Sequence, residues 1–214
     1  MIKVKVCGMR ESDNLASLVE LQPDFIGFIF YDKSPRFVGE QLDEVQLKAI
    51  PRNTKKVGVF VNANPDYILK TVKKYDLQFI QLHGSEDPIF CKSLKNKGIN
   101  IIKAFALDEA FNFSSLNNFK PHCDFFLFDT KGQNPGGNGF AFDWDMLANY
   151  DNEKPFFLSG GLSLENIEQA TKLEGLKIYG IDINSKFELE PGLKDIGKIE
   201  QLLEIVRPLE EEII

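Results

Sequence analysis

Short apolar runs alternate along this chain with longer segments that carry an apolar residue at every third or fourth position. The runs have the length of buried strands, and the longer segments have the spacing of amphipathic helices. No two consecutive runs lie close enough in the sequence to form a hairpin. The pattern therefore predicts eight strand–helix units, with strands over residues 2–7, 25–30, 56–61, 78–82, 99–105, 124–129, 155–159 and 177–183.

The segments between these strands carry helix-end signals. Ser163 is an N-cap candidate, and Gly98 suits a C-terminal cap. The helical pattern over 109–119 is weaker than the others, and the polar stretch 131–139 is expected to be a loop. The predicted helices cover 12–19, 42–50, 65–75, 88–97, 109–119, a short segment near Trp144, 163–173 and 196–206.

Near-continuous apolar strands separated by amphipathic helices indicate a parallel sheet covered by helices. Eight such units close most simply into a (β/α)8 barrel, or TIM barrel. The rival is an open doubly wound sheet, which usually carries a glycine-rich turn after its first strand. Here that turn is Cys7-Gly8-Met9-Arg10, which lacks the spacing G-x-G-x-x-G. We therefore predict an α/β fold in which residues 1–214 form a single (β/α)8 barrel.

Composition narrows the classes of function. The formal net charge of -7 argues against non-specific nucleic-acid binding, which needs basic patches. We expect no signal peptide and no membrane span, because no apolar stretch has the required length or position. Cys7, Cys91 and Cys123 are an odd number without a secretion signal, which indicates free thiols in a reducing cytoplasm. The acidic run 210–212 is interpreted as a solvated terminus.

In a (β/α)8 barrel, the active site lies where the strands end and the following loops begin. Cys7 ends the first predicted strand and Asp129 the sixth, so a thiol and a carboxyl group are expected on one face. Such a pair could serve as base and acid. The other strand ends are mostly polar too. The candidate site residues are Cys7, Arg36, His83, Asp129, Ser159, Gly160, Gly161, Asp182, Asn184 and Ser185.

A phosphate site is predicted after the seventh strand. Gly160 and Gly161 follow Ser159 and precede a predicted helix, so their backbone N–H groups could approach an anion closely. In barrels of this kind, phosphate commonly binds at the loops after strands seven and eight. Asn184 and Ser185 would form the second half of this cradle.

Arg36 and His83 are weaker candidates when each is taken alone. An arginine in a loop is more often a solvated surface residue, and a histidine at a strand end is often structural. The chain has two histidines, His83 and His122, and neither lies in an H-x-D or H-E-x-x-H motif. We therefore expect no catalytic metal.

Short motifs follow one another along almost the whole chain: KVCG (5–8), GFIF (27–30), SPR (34–36), VGVFVN (57–62), QLHG (81–84), LFDT (127–130), GGNG (136–139), FDW (142–144), LSGGL (158–162), DINS (182–185), PG (191–192) and KD (194–195). Together they resemble the phosphoribosylanthranilate isomerase family of tryptophan biosynthesis. Family members often carry threonine at Arg10, serine at Asn184 and glycine at Lys186. The last two departures fall in the predicted phosphate loop.

The resemblance implies an enzyme that converts N-(5-phospho-β-D-ribosyl)anthranilate to 1-(2-carboxyphenylamino)-1-deoxy-D-ribulose 5-phosphate. This Amadori rearrangement needs no cofactor. The resemblance implies Asp129 as the general acid, Cys7 as the general base and Arg36 as the residue that holds the anthranilate carboxylate. His83 and Asp182 are expected to bind substrate with the phosphate cradle. The acid must stay protonated near neutral pH, and positive charge should lower the pKa of the thiol.

The expected partner is the small phosphorylated anthranilate substrate, without nucleic acid or membrane, and the chain is expected to be a cytoplasmic monomer or homodimer. Two alternatives remain open. One is another phosphosugar-isomerising barrel: a histidine-pathway aldose–ketose isomerase typically has Asp where Cys7 stands, and a ribulose-phosphate epimerase needs a metal cluster that this sequence lacks. The other is a non-catalytic barrel that binds phosphometabolites, against which the presence of both acid and base candidates argues.

Overall fold

The computed structural model describes residues 1–39, 42–130, 144–173 and 175–207. Its central strands are β1 (Lys3–Cys7), β2 (Phe25–Ile29), β3 (Lys55–Phe60), β4 (Phe79–Leu82), β5 (Ile101–Leu107), β6 (Phe125–Thr130), β7 (Phe156–Leu158) and β8 (Ile178–Ile183). Each strand pairs in parallel with the next, and β8 pairs with β1, so the sheet closes on itself. The predicted (β/α)8 barrel is confirmed, and the open doubly wound sheet is wrong.

Helices cover the outside of the barrel: α1 (Ser12–Glu20), α2 (Glu44–Ala49), α3 (Pro65–Tyr75), α4 (Pro88–Lys95), α5 (Ile167–Thr171) and α6 (Ile196–Val206). Each presents an apolar stripe to the strands. Leu15 and Leu18 are buried on α1, and Ile199 and Leu202 are buried on α6. Burial of one such side chain stabilises the fold by about 1.5–3 kcal/mol. Within the described residues, no helix is long and apolar enough to cross a membrane.

The helix predicted over 109–119 is wrong in type. The structure has a 3₁₀ helix over Phe113–Asn118, and the side chain of Asn112 accepts a hydrogen bond from the backbone N–H of Ser114 at its start. Phe111 and Phe113 pack edge to face, with ring centroids 5.1 Å apart. Residues two positions apart do not share an α-helical face, so this ring contact disfavours a regular α-helix.

The other predicted helices differ from the observed ones mainly in length. In place of a helix over 163–173, α5 forms only between Ile167 and Thr171, and the backbone N–H of Ser163 donates to Asn166 Oδ1 at 2.9 Å. The short helix predicted near Trp144 is a 3₁₀ helix over Trp144–Asn149. The predicted loop 131–139 and the acidic run 210–212 lie outside the described residues.

A hairpin that the sequence pattern did not predict follows β8. A 3₁₀ turn over Ser185–Phe187 leads into two short antiparallel strands, β9 (Glu188–Glu190) and β10 (Leu193–Lys194). Gly192 turns the chain between them with a φ of +91°, a conformation that favours glycine. The hairpin brings Glu188 and Lys194 to the side of the barrel mouth.

Four aromatic side chains fill the end of the barrel where the strands begin. Phe25, Phe79, Phe125 and Tyr179 come from the four even-numbered strands, an arrangement of layers that is typical of this fold. Neighbouring ring centroids lie 5.6, 5.9, 4.3 and 6.2 Å apart around the ring of four. We call this layer the aromatic floor. It closes one end of the barrel, so a pocket has room only at the other end.

Candidate active site

A pocket opens at the end of the barrel where the strands terminate. Apolar side chains, among them Ile29, Val59 and Leu162, form part of its wall. All the site residues predicted from the sequence line this pocket except Arg36: they are Cys7, His83, Asp129, Ser159, Gly160, Gly161, Asp182, Asn184 and Ser185. The barrel therefore brings together a thiol, two carboxyl groups, a histidine and a glycine turn from distant parts of the chain.

Cys7 lies at the end of β1 with its side chain turned into the barrel and 4% of its surface exposed. The neighbouring strand makes room for it at Gly27, where a Cβ atom would lie 2.8 Å from the Cys7 Sγ. Burial raises the pKa of the Cys7 thiol, although the Lys5 and Lys194 ammonium groups oppose the shift. Positive charge does lower this pKa, as expected, but desolvation outweighs both ammonium groups, so the net shift of the Cys7 pKa is upward.

Lys5 and Asp182 form a buried ion pair beside Cys7. Lys5 Nζ lies 2.8 Å from Asp182 Oδ1, and neither side chain exposes more than 6% of its surface. Burial lowers the pKa of Lys5, but the charges of Asp182 and Cys7 outweigh it and raise that pKa overall. Burial raises the pKa of Asp182, even though Lys5 opposes the shift. The pair fixes an ammonium group close to the thiol, where it favours the thiolate.

His83 and Asp129 face each other across the pocket. His83 Nε2 lies 3.4 Å from Asp129 Oδ2. The other ring nitrogen of His83, Nδ1, is 2.8 Å from the Gln81 Nε2 amide nitrogen. When the Gln81 amide donates to Nδ1, the ring proton sits on Nε2 and points at the carboxyl group. His83 therefore has a polar partner at each ring nitrogen, the Gln81 amide at Nδ1 and the Asp129 carboxyl group at Nε2.

The two histidines lie far apart along the barrel axis. His83 follows the end of β4, whereas His122 belongs to a 3₁₀ turn over Lys120–His122 that precedes the start of β6. Across the described part of the chain, no group of three or more His, Cys, Asp and Glu side chains is arranged to hold a metal ion.

The glycine turn after β7 has the backbone that an anion cradle needs. Gly160 and Gly161 have φ values of +88° and +67°, which side-chain-bearing residues rarely adopt. Asn184, Ser185 and Lys186 line the same part of the pocket. The predicted helix does not follow this turn directly, because α5 begins only at Ile167. Anion binding here would therefore depend on the backbone N–H groups and the neighbouring side chains, and not on a helix dipole.

Arg36 lies beside the pocket, and its guanidinium group is engaged by another residue. Arg36 Nε and Nη2 donate to the Glu188 carboxylate, with the shortest contact at 2.7 Å. Only 9% of Arg36 is exposed, so it is not a solvated surface arginine. Lys194 Nζ donates to the same carboxylate at 2.6 Å. The two cations hold the pKa of Glu188 below its usual value, although burial alone would raise it.

Sequence reasoning missed four buried polar residues around the pocket: Lys5, Gln81, Glu188 and Lys194. Lys5 and Gln81 belong to strands and have side chains turned into the barrel, a position where apolar residues are expected. A lysine or glutamine inside an otherwise apolar strand is a usable signal, because its burial requires a partner.

The fold and the pocket define a class of protein. A (β/α)8 barrel that brings a thiol, two carboxyl groups and a glycine turn together at its strand ends has the layout of a barrel enzyme. The model of the family "N-(5'phosphoribosyl)anthranilate (PRA) isomerase" matches residues 4–205. The chain belongs to this family.

Relatives and solved structures agree with this assignment. The N-(5'-phosphoribosyl)anthranilate isomerase of Parabacteroides distasonis is 42% identical over 210 residues, which cover 97% of this chain and 95% of the relative. The crystal structure of the phosphoribosyl anthranilate isomerase from Thermotoga maritima is 31% identical with a TM-score of 0.83, covering 98% of this chain and 100% of that one.

A further solved isomerase carries a ligand. It is a phosphoribosyl anthranilate isomerase in complex with reduced 1-(o-carboxyphenylamino)-1-deoxyribulose 5-phosphate. It is 29% identical to this chain, with a TM-score of 0.79, and the match covers 98% of this chain and all of that one.

Proposed function

We propose that this pocket isomerises N-(5-phospho-β-D-ribosyl)anthranilate to 1-(2-carboxyphenylamino)-1-deoxy-D-ribulose 5-phosphate, with Cys7 and Asp129 as the reacting groups. The observation that carries the proposal is that a buried thiol and a carboxyl group line one pocket together with a glycine cradle. Purified protein should accelerate the change in anthranilate fluorescence of freshly made substrate. A rate equal to the uncatalysed decay of the substrate would overturn the proposal.

The reaction divides into an opening of the sugar ring and a tautomerisation. Asp129 donates a proton to the furanose ring oxygen, so that the bond from this oxygen to C1 breaks and a Schiff base forms. The Cys7 thiolate then removes the proton from C2, and the resulting enolamine takes a proton at C1 as the ketone forms at C2. Atoms and electrons balance without a cofactor, because the aldose carbon is reduced while its neighbour is oxidised.

The charged groups around Cys7 support its role as the base. Desolvation raises the pKa of the Cys7 thiol, so only a small fraction is thiolate in the free protein at neutral pH. Lys5 and Lys194 both favour the thiolate, since each lowers the pKa against the effect of burial. These ammonium groups would let a buried thiolate accept a proton without an exposed, oxidation-prone sulfur.

The substrate is anchored at both ends in this proposal. Its phosphate would bind at Gly160 and Gly161 opposite Asn184 and Ser185, and its anthranilate carboxylate would bind Arg36. Glu188 occupies the Nε edge of the Arg36 guanidinium, so the substrate would use the remaining N–H groups. Fixing both ends orients the sugar between acid and base. Such orientation can lower the activation barrier by up to about 7–11 kcal/mol in favourable cases.

Arg36→Met is expected to raise KM or lower kcat/KM about ten- to a hundredfold, because a charge-assisted hydrogen bond is worth about 1.5–3 kcal/mol. Steady-state kinetics measure the effect. The change also removes a partner of buried Glu188, so a melting curve must accompany it. Arg36→Lys keeps a positive charge for Glu188 but loses the planar fork, and should give an intermediate value. An unchanged kcat/KM in Arg36→Met would remove Arg36 from the substrate site.

A crystal grown with the product, or with inorganic phosphate, is expected to show the phosphate group between the Gly160–Gly161 backbone and Asn184–Ser185. Both glycines lack a Cβ and adopt positive φ values, a backbone conformation that allows an anion to approach the N–H groups closely. The phosphate position in the electron density is the measurement. Phosphate bound elsewhere on this face of the barrel would contradict the assignment of the cradle.

A further inference from the structure

Glu188 is a buried carboxylate that gathers several donors at the edge of the pocket. It begins β9, and only 4% of its side chain is exposed. Its oxygens accept from Arg36 Nε at 2.9 and 3.0 Å and from Arg36 Nη2 at 2.7 Å. They also accept from Lys194 Nζ at 2.6 Å and from the backbone N–H of Gly192 at 3.2 Å. A buried carboxylate with so many donors holds each of them in one orientation.

The charges in this group do not cancel. Arg36 and Lys194 carry one positive charge each, and Glu188 carries one negative charge, so the group retains one net positive charge. Burial lowers the pKa of Lys194 to about 8, although the Glu188 carboxylate opposes the shift. Glu188 therefore helps to keep Lys194 charged near neutral pH, and it leaves a positive potential beside a pocket suited to an anion.

The group touches both ends of the proposed substrate site. Arg36 belongs to the loop after β2, at the proposed carboxylate end. Lys194 Nζ also donates to Asn184 Oδ1 at 2.7 Å, and Asn184 lines the proposed phosphate end. The Arg36 and Asn184 side chains both pass close to Gly8, where a Cβ atom would lie 2.8 Å from Arg36 Cδ and 2.9 Å from Asn184 Oδ1. One carboxylate thus fixes a cation at each end.

We propose that Glu188 is a positioning residue that orients Arg36 and Lys194 together, and so couples the carboxylate end of the substrate site to its phosphate end. This inference rests on the proposed function. Glu188 does not touch the reacting atoms. It sets the guanidinium plane of Arg36, and through Lys194 it sets the side chain of Asn184.

A competing role for Glu188 predicts the opposite change in substrate affinity when Glu188 is replaced. If Glu188 occupied the place of the substrate carboxylate on Arg36, its removal would free the guanidinium group and tighten binding. If Glu188 positions Arg36, its removal loosens the guanidinium group and weakens binding. Glu188→Gln separates these roles, because the amide keeps the shape of the side chain but loses the charge and half of its acceptor capacity.

The test compares Glu188→Gln, Glu188→Asp, Arg36→Met and Lys194→Met with wild type. Each is measured by steady-state kinetics and by the affinities for anthranilate and for inorganic phosphate, which probe the two ends separately. We expect Glu188→Gln to raise KM about tenfold, with a smaller change in kcat. The same variant should weaken the binding of both anthranilate and phosphate. Arg36→Met should weaken anthranilate binding more than phosphate binding, and Lys194→Met should do the reverse and also lower kcat, because Lys194 favours the Cys7 thiolate. Glu188→Asp keeps the charge, so it should bind both ligands more tightly than Glu188→Gln but less tightly than wild type.

Glu86→Gln provides a matched control. Glu86 is also a buried carboxylate paired with a lysine, Lys103, at 3.2 Å, but it contacts neither Arg36 nor Lys194 in the described structure. It should lower the Tm and leave both the anthranilate affinity and the phosphate affinity close to those of wild type. A Glu188→Gln variant with a lower KM, or with weaker binding of only one of the two ligands, would overturn the coupling. Absence of turnover in wild type would instead overturn the proposed function, so the two failures are distinguishable.

Discussion

Cys7→Ser is expected to lower kcat by about 10²–10⁴-fold, the usual contribution of a general base. A serine hydroxyl does not ionise near neutral pH, whereas the thiol forms a thiolate that Lys5 and Lys194 favour. Because burial raises the pKa of Cys7, the wild-type rate through this base should increase as the pH rises toward that pKa. This increase should disappear in Cys7→Ser. Rate measurements over pH with saturating substrate test both statements.

Cys91→Ser is the matched control for the thiol substitution. Cys91 is buried within α4, on the outside of the barrel, and does not line the pocket. The same exchange of sulfur for oxygen should lower the Tm there and leave kcat close to that of wild type. If Cys7→Ser retained wild-type kcat, Cys7 could not be the base.

Asp129→Asn is expected to lower kcat by about 10²–10⁴-fold, because an amide cannot supply the proton that opens the furanose ring. The substituted side chain keeps the size of the carboxyl group, so substrate affinity should change less than kcat. Rapid-quench analysis should find the bound sugar still in its ring form. A variant with the wild-type rate would show that the proton comes from another group.

Asp124→Asn tests whether such a loss is specific to the strand end. Asp124 precedes β6, at the opposite end of the strand from Asp129, and its oxygens bind Lys95 Nζ at 2.6 and 2.7 Å and the backbone N–H of Ile101. Its replacement should reduce the free energy of unfolding while leaving kcat near the wild-type value. Equal losses of kcat in both variants would point to a general effect on β6.

The sequence predicted the barrel and most of its pocket because both depend on local patterns. Each strand is an apolar run bounded by polar residues, and parallel closure then brings every strand end to one face. Cys7 and Asp129, although far apart in the sequence, could therefore be placed on the same face without any knowledge of tertiary contacts. The glycine pair Gly160–Gly161 was visible for the same reason, since two adjacent glycines mark a special backbone conformation.

The polar network around the pocket could not be predicted in this way. Lys5 pairs with Asp182 across 177 positions of sequence, and Arg36 pairs with Glu188 across 152 positions. A charged residue carries no local sign of whether it faces solvent or a distant partner. β9 and β10 are also too short for an alternating pattern, so the hairpin that carries Glu188 left no trace that periodicity could detect.

The limits of the helix predictions have a related cause. At 109–119, closely spaced phenylalanines gave an apolar segment whose side chains pack ring to ring and not along a helical stripe. After Ser163, the Ser163 carbonyl accepts from the backbone N–H groups of Asn166 and Ile167, and the regular α-helix begins only at Ile167. The apolar pattern therefore located both segments but not the type or the exact extent of their helices.

The aromatic floor gives the barrel only one opening. Its four rings, Phe25, Phe79, Phe125 and Tyr179, pack against one another across the end where the strands begin. Substrate and product must therefore pass through the same mouth, so product has to depart before the next substrate enters, and the two compete for the free enzyme. The floor therefore makes entry and departure successive events at one mouth of the barrel.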